Sequence, residues 1–231
     1  RLLEPSDYGI VAVAKAFIGM LVLVNEGGLN MAIVNAKSLE RHELSKLFGF
    51  ILSISAFLFT FSVASSVFLS DFFKMDDLLY VIPFLSMQIP IVSLGSVHQA
   101  LLVRGIRLKE KSRNEFVAGL IGASLTLVLA YQGFGLWSLA FGIICTISLR
   151  SILDIISVWI LIVPSFNFRG IRSYISFGFS ITGQRIVWYL YNNSDTFVLA
   201  RLLDQSQLGV YSVGRHVAGL PLSKIGAIVN D

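Results

Sequence analysis

Along nearly the whole 231-residue chain, apolar residues run in long blocks broken by short polar interruptions. A helix that crosses a bilayer needs roughly 20 mostly apolar residues. Six blocks reach that length: Tyr8–Val34, Leu47–Leu69, Leu78–Val103, Phe116–Gln132, Leu136–Val163 and Tyr174–Leu199. A seventh begins near Gly209 and continues to the chain end. The interruptions, "NAKSLERHELSK", "SDFFKMDD", "RGIRLKEKSRNE", "QGFG" and "PSFNFRG", combine charges with helix breakers. The apolar runs are too long for strands and do not alternate. The pattern therefore predicts an all-α fold, a polytopic transmembrane bundle of antiparallel neighbouring helices.

Composition agrees. Hydrophobic residues make up 55% of the chain and charged residues 14%, against about 25% charged in an ordinary soluble domain. The single Cys145 excludes an intrachain disulfide framework, and His42, His98 and His216 lack metal-ligand spacing. No nucleotide-binding glycine loop and no cluster of catalytic carboxylates or histidines is present, so neither ATP hydrolysis nor a transferase reaction is expected, and no cofactor.

Basic residues fall in alternate loops. Lys37, Arg41 and Lys46 follow the first span, Arg104, Arg107, Lys109, Lys111 and Arg113 the third, and Arg169 and Arg172 the fifth. The opposite loops carry Glu4, Asp7, Asp71, Asp76, Asp77 and Asp204 beside Arg1, Lys74 and Arg201. Basic loops face the cytoplasm, which sets Arg1 on the outer side. This asymmetry accounts for the basic balance without any nucleic-acid partner. The chain begins with Arg1 rather than Met and stops inside an apolar pattern, so it reads as a fragment with an odd number of spans before it, most simply one.

The opening "RLLEPSDYGIVAVAKAFIG" matches "RLLDQSQLGVYSVGRHVAG" at 201–219 without gaps. Arg1, Leu2, Leu3, Ser6, Gly9, Val13 and Gly19 recur 200 residues later, Glu4 pairs with Asp204, and Lys15 with Arg215. Six spans separate the copies, so both enter the membrane in the same direction. Such repeats typify transporters, whose substrate site lies where the repeats meet. The predicted division is residues 1–173 for most of a first six-helix lobe and residues 174–231 for the start of a second.

Charges within spans are costly and often functional. Arg150 and Asp154, four residues apart, are expected to form a structural ion pair on one helix face. Arg185 and Asp195 are ~15 Å apart along a helix and point roughly 80° apart, so they do not neutralise each other. Thr182, Arg185, Tyr189, Asn192 and Thr196 recur at spacings of 3 and 4 and draw one polar stripe. That face meets either a water-filled cavity or a polar helix interface. Lys15 and Arg215, at matching repeat positions, are expected to share a central space with Arg185 and make it cationic; snorkelling of Lys15 to the outer interface is the competing reading. A cationic space suits phosphate and not an organic cation. Asp195 and Glu26 are candidates for ion coupling, and Glu26, in "NEGGLN", marks either a helix end or a hinge.

Five segments, "RLLEPSDYGIVAVA", "NEGGLNMAIV", "LLVRGIRLKEKSRNEF", "GFGLWSLA" and "FGFSITGQRIVWYLYNNSDTFVLARLL", resemble the polysaccharide flippases, more closely the colanic-acid and lipopolysaccharide exporter branch of the multidrug, oligosaccharidyl-lipid and polysaccharide exporter superfamily. The resemblance covers nearly the whole chain. It implies two six-helix lobes in a V whose first, second, seventh and eighth helices line a cavity, with the first of these preceding Arg1. "QSQLG" departs from the family's usual glycine- and proline-containing turn. The implied activity is export of an undecaprenyl-diphosphate-linked oligosaccharide across the bacterial inner membrane by alternating access. Implied partners are membrane lipids, H+ or Na+ as coupling ion, a polysaccharide polymerase and glycosyltransferases. A multidrug cation exporter and a non-transporting membrane protein are the alternatives.

Overall fold

The computed structural model describes residues 3–26, 28–36, 40–160 and 162–229, with side chains as far as Gly219. Arg1, Leu2, Gly27, Lys37 and the side chain of Lys224 lie outside the described residues. Among the described residues the only regular secondary structure is helical: α1 (Pro5–Glu26), α2 (Leu29–Asn35), α3 (Arg41–Phe73), α4 (Leu78–Ser86), α5 (Gln88–Arg104), α6 (Leu108–Tyr131), α7 (Leu136–Val158), α8 (Arg172–Leu202) and α9 (Gln205–Val229).

The ends follow local chemistry. Pro5 occupies the first turn of α1, where its missing N–H costs nothing. Glu40 and Glu43 form a reciprocal capping box at the start of α3. α4 and α5 form one rod interrupted at Met87, because Pro90 has no N–H to offer the Ser86 carbonyl. α1 and α2 are likewise two parts of one rod, parted at Gly28, whose φ of +58° is left-handed and whose Cα faces the Gly178 backbone closely.

Among the described residues, five rods are long and apolar enough to cross a membrane: Pro5–Asn35, Arg41–Phe73, Leu78–Arg104, Leu108–Tyr131 and Leu136–Val158. This is a multi-pass membrane protein. The sixth expected span, Tyr174–Leu199, is helical and long enough within α8, but its polar stripe leaves it too polar to count by composition. Two other boundaries shift. α6 begins at Leu108 rather than Phe116, because the charges before Phe116 sit on a helix with a Lys111–Glu115 pair at 3.4 Å. α7 ends at Val158 rather than Val163, where Trp159 turns left-handed at φ +51°.

Packing forms two apolar centres. Near the acidic end, Ile10, Val13, Leu78, Ile82, Ala140 and Leu208 bury one another across α1, α4, α7 and α9. Near the basic end, Leu29, Ile33, Leu47, Ile51 and Val97 do the same across α2, α3 and α5. α6 and α7 approach through a reciprocal contact in which Gly122 faces Thr146 and Gly142 faces Thr126; small residues permit such closeness where lipid supplies no hydrophobic drive between helices. Phe57, Phe61, Phe68 and Phe72 lie exposed along α3, as a lipid-facing surface requires.

The segment between α7 and α8 is tied down. Ser165 N donates to Ser45 O at 2.8 Å, Lys46 Nζ to Arg169 O at 2.8 Å, and His98 Nε2 lies 3.1 Å from Ile160 O. Phe168 meets Phe50 edge to face at 5.5 Å, and Ile171 is fully buried. α8 therefore starts from a fixed point against α3 and α5.

Candidate functional site

The two repeat copies become the first turns of α1 and α9, and they cross at their acidic-end halves. Gly9 faces the Gln205 carbonyl, and Gly209 faces the Pro5 carbonyl. Pro5 matches Gln205 and Gly9 matches Gly209 in the repeat, so the contact is reciprocal, as a local two-fold axis requires. Neither helix has room there for a Cβ, which is why both copies carry glycine.

α8 lies along the other side of α1. Tyr189 Oη donates to Ala16 O at 3.0 Å and is accommodated because Gly19 has no side chain. Between these contacts, α1, α8 and α9, with α6 and α7 behind, border an open-sided cavity of about 730 Å³. Lys15, Tyr189, Asn193, Thr196, Arg215 and His216 supply its polar lining. Val11, Leu139 and Ile143 supply part of the apolar wall.

Lys15 and Arg215, matched in the repeat, line this one space but stand differently. Lys15 is exposed and its ammonium makes no hydrogen bond or ion pair among the described residues. Arg215 is clamped to α8. Its Nη1 lies 2.9 Å from Asp195 Oδ1 and donates to Thr196 Oγ1 at 2.9 Å, while Nη2 donates to the Asn192 carbonyl. Asp195 is itself held by Tyr211 Oη at 2.5 Å and by the Thr196 N–H at 2.8 Å.

Several expectations change. Arg185 does not line this cavity; it stands ten residues before Asp195 on α8, nearer the basic end. One face of a helix need not meet one chamber, because depth as well as angle decides what it touches. The stripe is divided: Thr182 is buried at its basic end, while Tyr189 and Thr196 line the cavity. The side chains of Asn192 and Asn193 both bond back to their own helix, to Trp188 O and Tyr189 O, and of the two it is Asn193 that lines the cavity. The Arg150–Asp154 pair does not form. Asp154 Oδ1 accepts from Asn114 at 2.9 Å across the α6–α7 contact, and Arg150 turns to Glu115 at 3.9 Å. Glu26 is the last residue of α1, so it marks a helix end at the gap before α2.

Sequence reasoning passed over Tyr211, His216 and Thr126 of the cavity region. Tyr211 was discoverable, since it lies four residues before Arg215 on the same face. The other two carry no sequence signal, because only the meeting of α6 and α9 around one space selects them.

No solved structure matches the chain. Among curated proteins, it is 25% identical over 99% of its length to an uncharacterized membrane protein in the cps region of Klebsiella pneumoniae, covering 48% of that protein. It is 27% identical over 96% of its length to the succinoglycan biosynthesis transport protein ExoT of Rhizobium meliloti, covering 45%. It is 24% identical over 99% of its length to the lipopolysaccharide biosynthesis protein WzxC of Escherichia coli, covering 47%. The chain thus spans about half the length of the curated relatives it matches. The family described as "Polysaccharide biosynthesis protein" matches residues 1–231, every position from first to last. With this match across an all-helical membrane bundle, the chain belongs to the polysaccharide biosynthesis protein family.

Proposed function

We propose that the whole protein exports a polysaccharide precursor, an undecaprenyl-diphosphate-linked oligosaccharide, across the bacterial inner membrane, acting as a transporter and not as an enzyme. The observation that carries this reading is the shared cavity lined by Lys15 and Arg215 from the two repeat copies. Two basic side chains in a partly apolar hollow suit a diphosphate, because Arg offers a planar fork and Lys a mobile point charge. The glycan occupies the polar side, and the polyprenyl tail stays in lipid. Relatives named for succinoglycan transport and lipopolysaccharide biosynthesis support the substrate class.

Movement follows from the packing. α1 and α9 are pinched together at Gly9 and Gly209, on the acidic-end side of Lys15 and Arg215. Release on that side requires the two helices to part, with one lobe rocking against the other around a fixed site. The family resemblance adds a first lobe completed by a helix before Arg1 and a second lobe continuing beyond residue 231. H+ or Na+ would drive the cycle by binding one state more tightly than the other.

The test is Lys15→Ala and Arg215→Ala in the full-length protein at equal membrane abundance. Both are expected to abolish surface-glycan export. Normal export in both variants would reject the cavity as the substrate site, and a drug-efflux defect with normal glycan would favour a multidrug exporter.

A further inference from the structure

Arg215 carries five N–H donors. Two are committed on α8, one from Nη1 to Thr196 Oγ1 and one from Nη2 to the Asn192 carbonyl, and Nη1 also lies 2.9 Å from Asp195 Oδ1 as an ion pair. The Nε–H and a second Nη2–H make no hydrogen bond among the described residues, on a side chain that lines the cavity. Nε and Nη2 form the side edge of a guanidinium, which can grip two oxygens of a phosphate or carboxylate.

Asp195 is not part of the cavity lining. It sits behind Arg215, with each oxygen engaged: Oδ1 by Arg215 and the Thr196 N–H, Oδ2 by Tyr211. A long side chain freed of these contacts would sample many rotamers and lose their entropy on each binding event. Held by these contacts, the guanidinium is ordered before the ligand arrives.

We propose that Asp195 is a positioning residue. Supported by Tyr211, it fixes Arg215 so that the donors left free form a preset receptor for an oxyanion, the diphosphate of the exported lipid. This rests on the reading of the cavity as the substrate's anion site. It gives Asp195 a role different from carrying the coupling ion. The repeat sharpens the point: position 11, the counterpart of Tyr211, is valine, and Lys15 is correspondingly unclamped.

The experiment uses full-length protein in lipid nanodiscs, with inorganic pyrophosphate as the binding probe and export of lipid-linked oligosaccharide as the second readout. Asp195→Ala should weaken pyrophosphate binding about tenfold or more, the scale set by losing a hydrogen bond to a charged group, and should raise KM far more than it lowers kcat. Asp195→Asn keeps an oxygen for Arg215 and should restore most of the binding. Tyr211→Phe, which leaves every charge in place, should weaken binding about threefold and covers the case in which the alanine variant fails to fold. The proposal is overturned if Asp195→Ala binds pyrophosphate as well as or better than the parent. It is equally overturned if Asp195→Asn keeps full binding while losing the H+ or Na+ dependence of export, which would make Asp195 the coupling group. Absence of pyrophosphate binding to the parent, or binding indifferent to Arg215→Ala and Lys15→Ala, sinks the anion-site reading and this proposal with it.

Discussion

α1 and α9 open on nearly the same words and arrive at different chemistry. Both start at matched positions, both use glycine at the crossing, and both set a cation into the same cavity. On α1 the cation is a lysine with no partner among the described residues; on α9 it is an arginine held by Asp195, Thr196 and Asn192. The backbone contact has stayed symmetric, because a change in either glycine forces the other helix away. The side chains below it have diverged, because the cavity leaves them room. A duplicated helix thus keeps what its packing demands and specialises where packing is loose.

The comparison breaks most severely at the shared glycines. Gly9→Leu and Gly209→Leu should each destabilise the protein by several kcal/mol, since backbone faces backbone and nothing flexible can yield. Folded protein in the membrane and export should both collapse, and a near-normal level of either would mean that the crossing is not obligatory. Next come reciprocal exchanges of the cations. Arg215→Lys, which cannot reach Asp195, Thr196 and Asn192 together, should reduce export at least tenfold at equal abundance, about 1.4 kcal/mol. Lys15→Arg should retain most activity, because no fixed geometry surrounds Lys15. Equal losses from the two exchanges would erase the distinction between clamped and free.

Making α9 resemble α1 by Tyr211→Val removes the donor to Asp195 at the cost of about 1–2 kcal/mol; thermal stability and export should fall together, less than for Arg215→Lys. The smallest effect belongs to Tyr189→Phe. It removes one hydrogen bond, to Ala16 O, from a helix carbonyl already engaged in its own ladder. The expected loss is about 1 kcal/mol or less, read as a modest fall in melting temperature with export largely retained.

The spans were legible because membrane helices must satisfy every backbone group internally, so length and apolarity locate them almost unaided. The site was legible in part. Lys15 and Arg215 could be paired through the 200-residue offset, which carries position as well as composition. Arg185 could not be placed by the same means: its stripe fixes an angle around α8, and nothing in α8 alone states the depth at which α1 passes. Asp154 failed for a related reason. Its i−4 neighbour Arg150 was the nearest partner in sequence, but the close Gly122–Gly142 approach brings Asn114 of α6 within 2.9 Å. In Asp195 the sequence offered a lone acid for ion coupling; the partners that surround it, Arg215 and Tyr211, lie on the next helix and become neighbours only when α9 folds back against α8.

Taken by itself, the order of residues determined the helical class, the approximate spans and the duplicated opening, since each follows from local periodicity, run length and self-similarity. Tertiary structure decided which cation is free, which is held, and that Arg185 lies apart from both. Those outcomes depend on where helices cross and how deeply they sit, and side-chain partners chosen across a helix crossing are set by distances in space, which spacing along one chain does not encode.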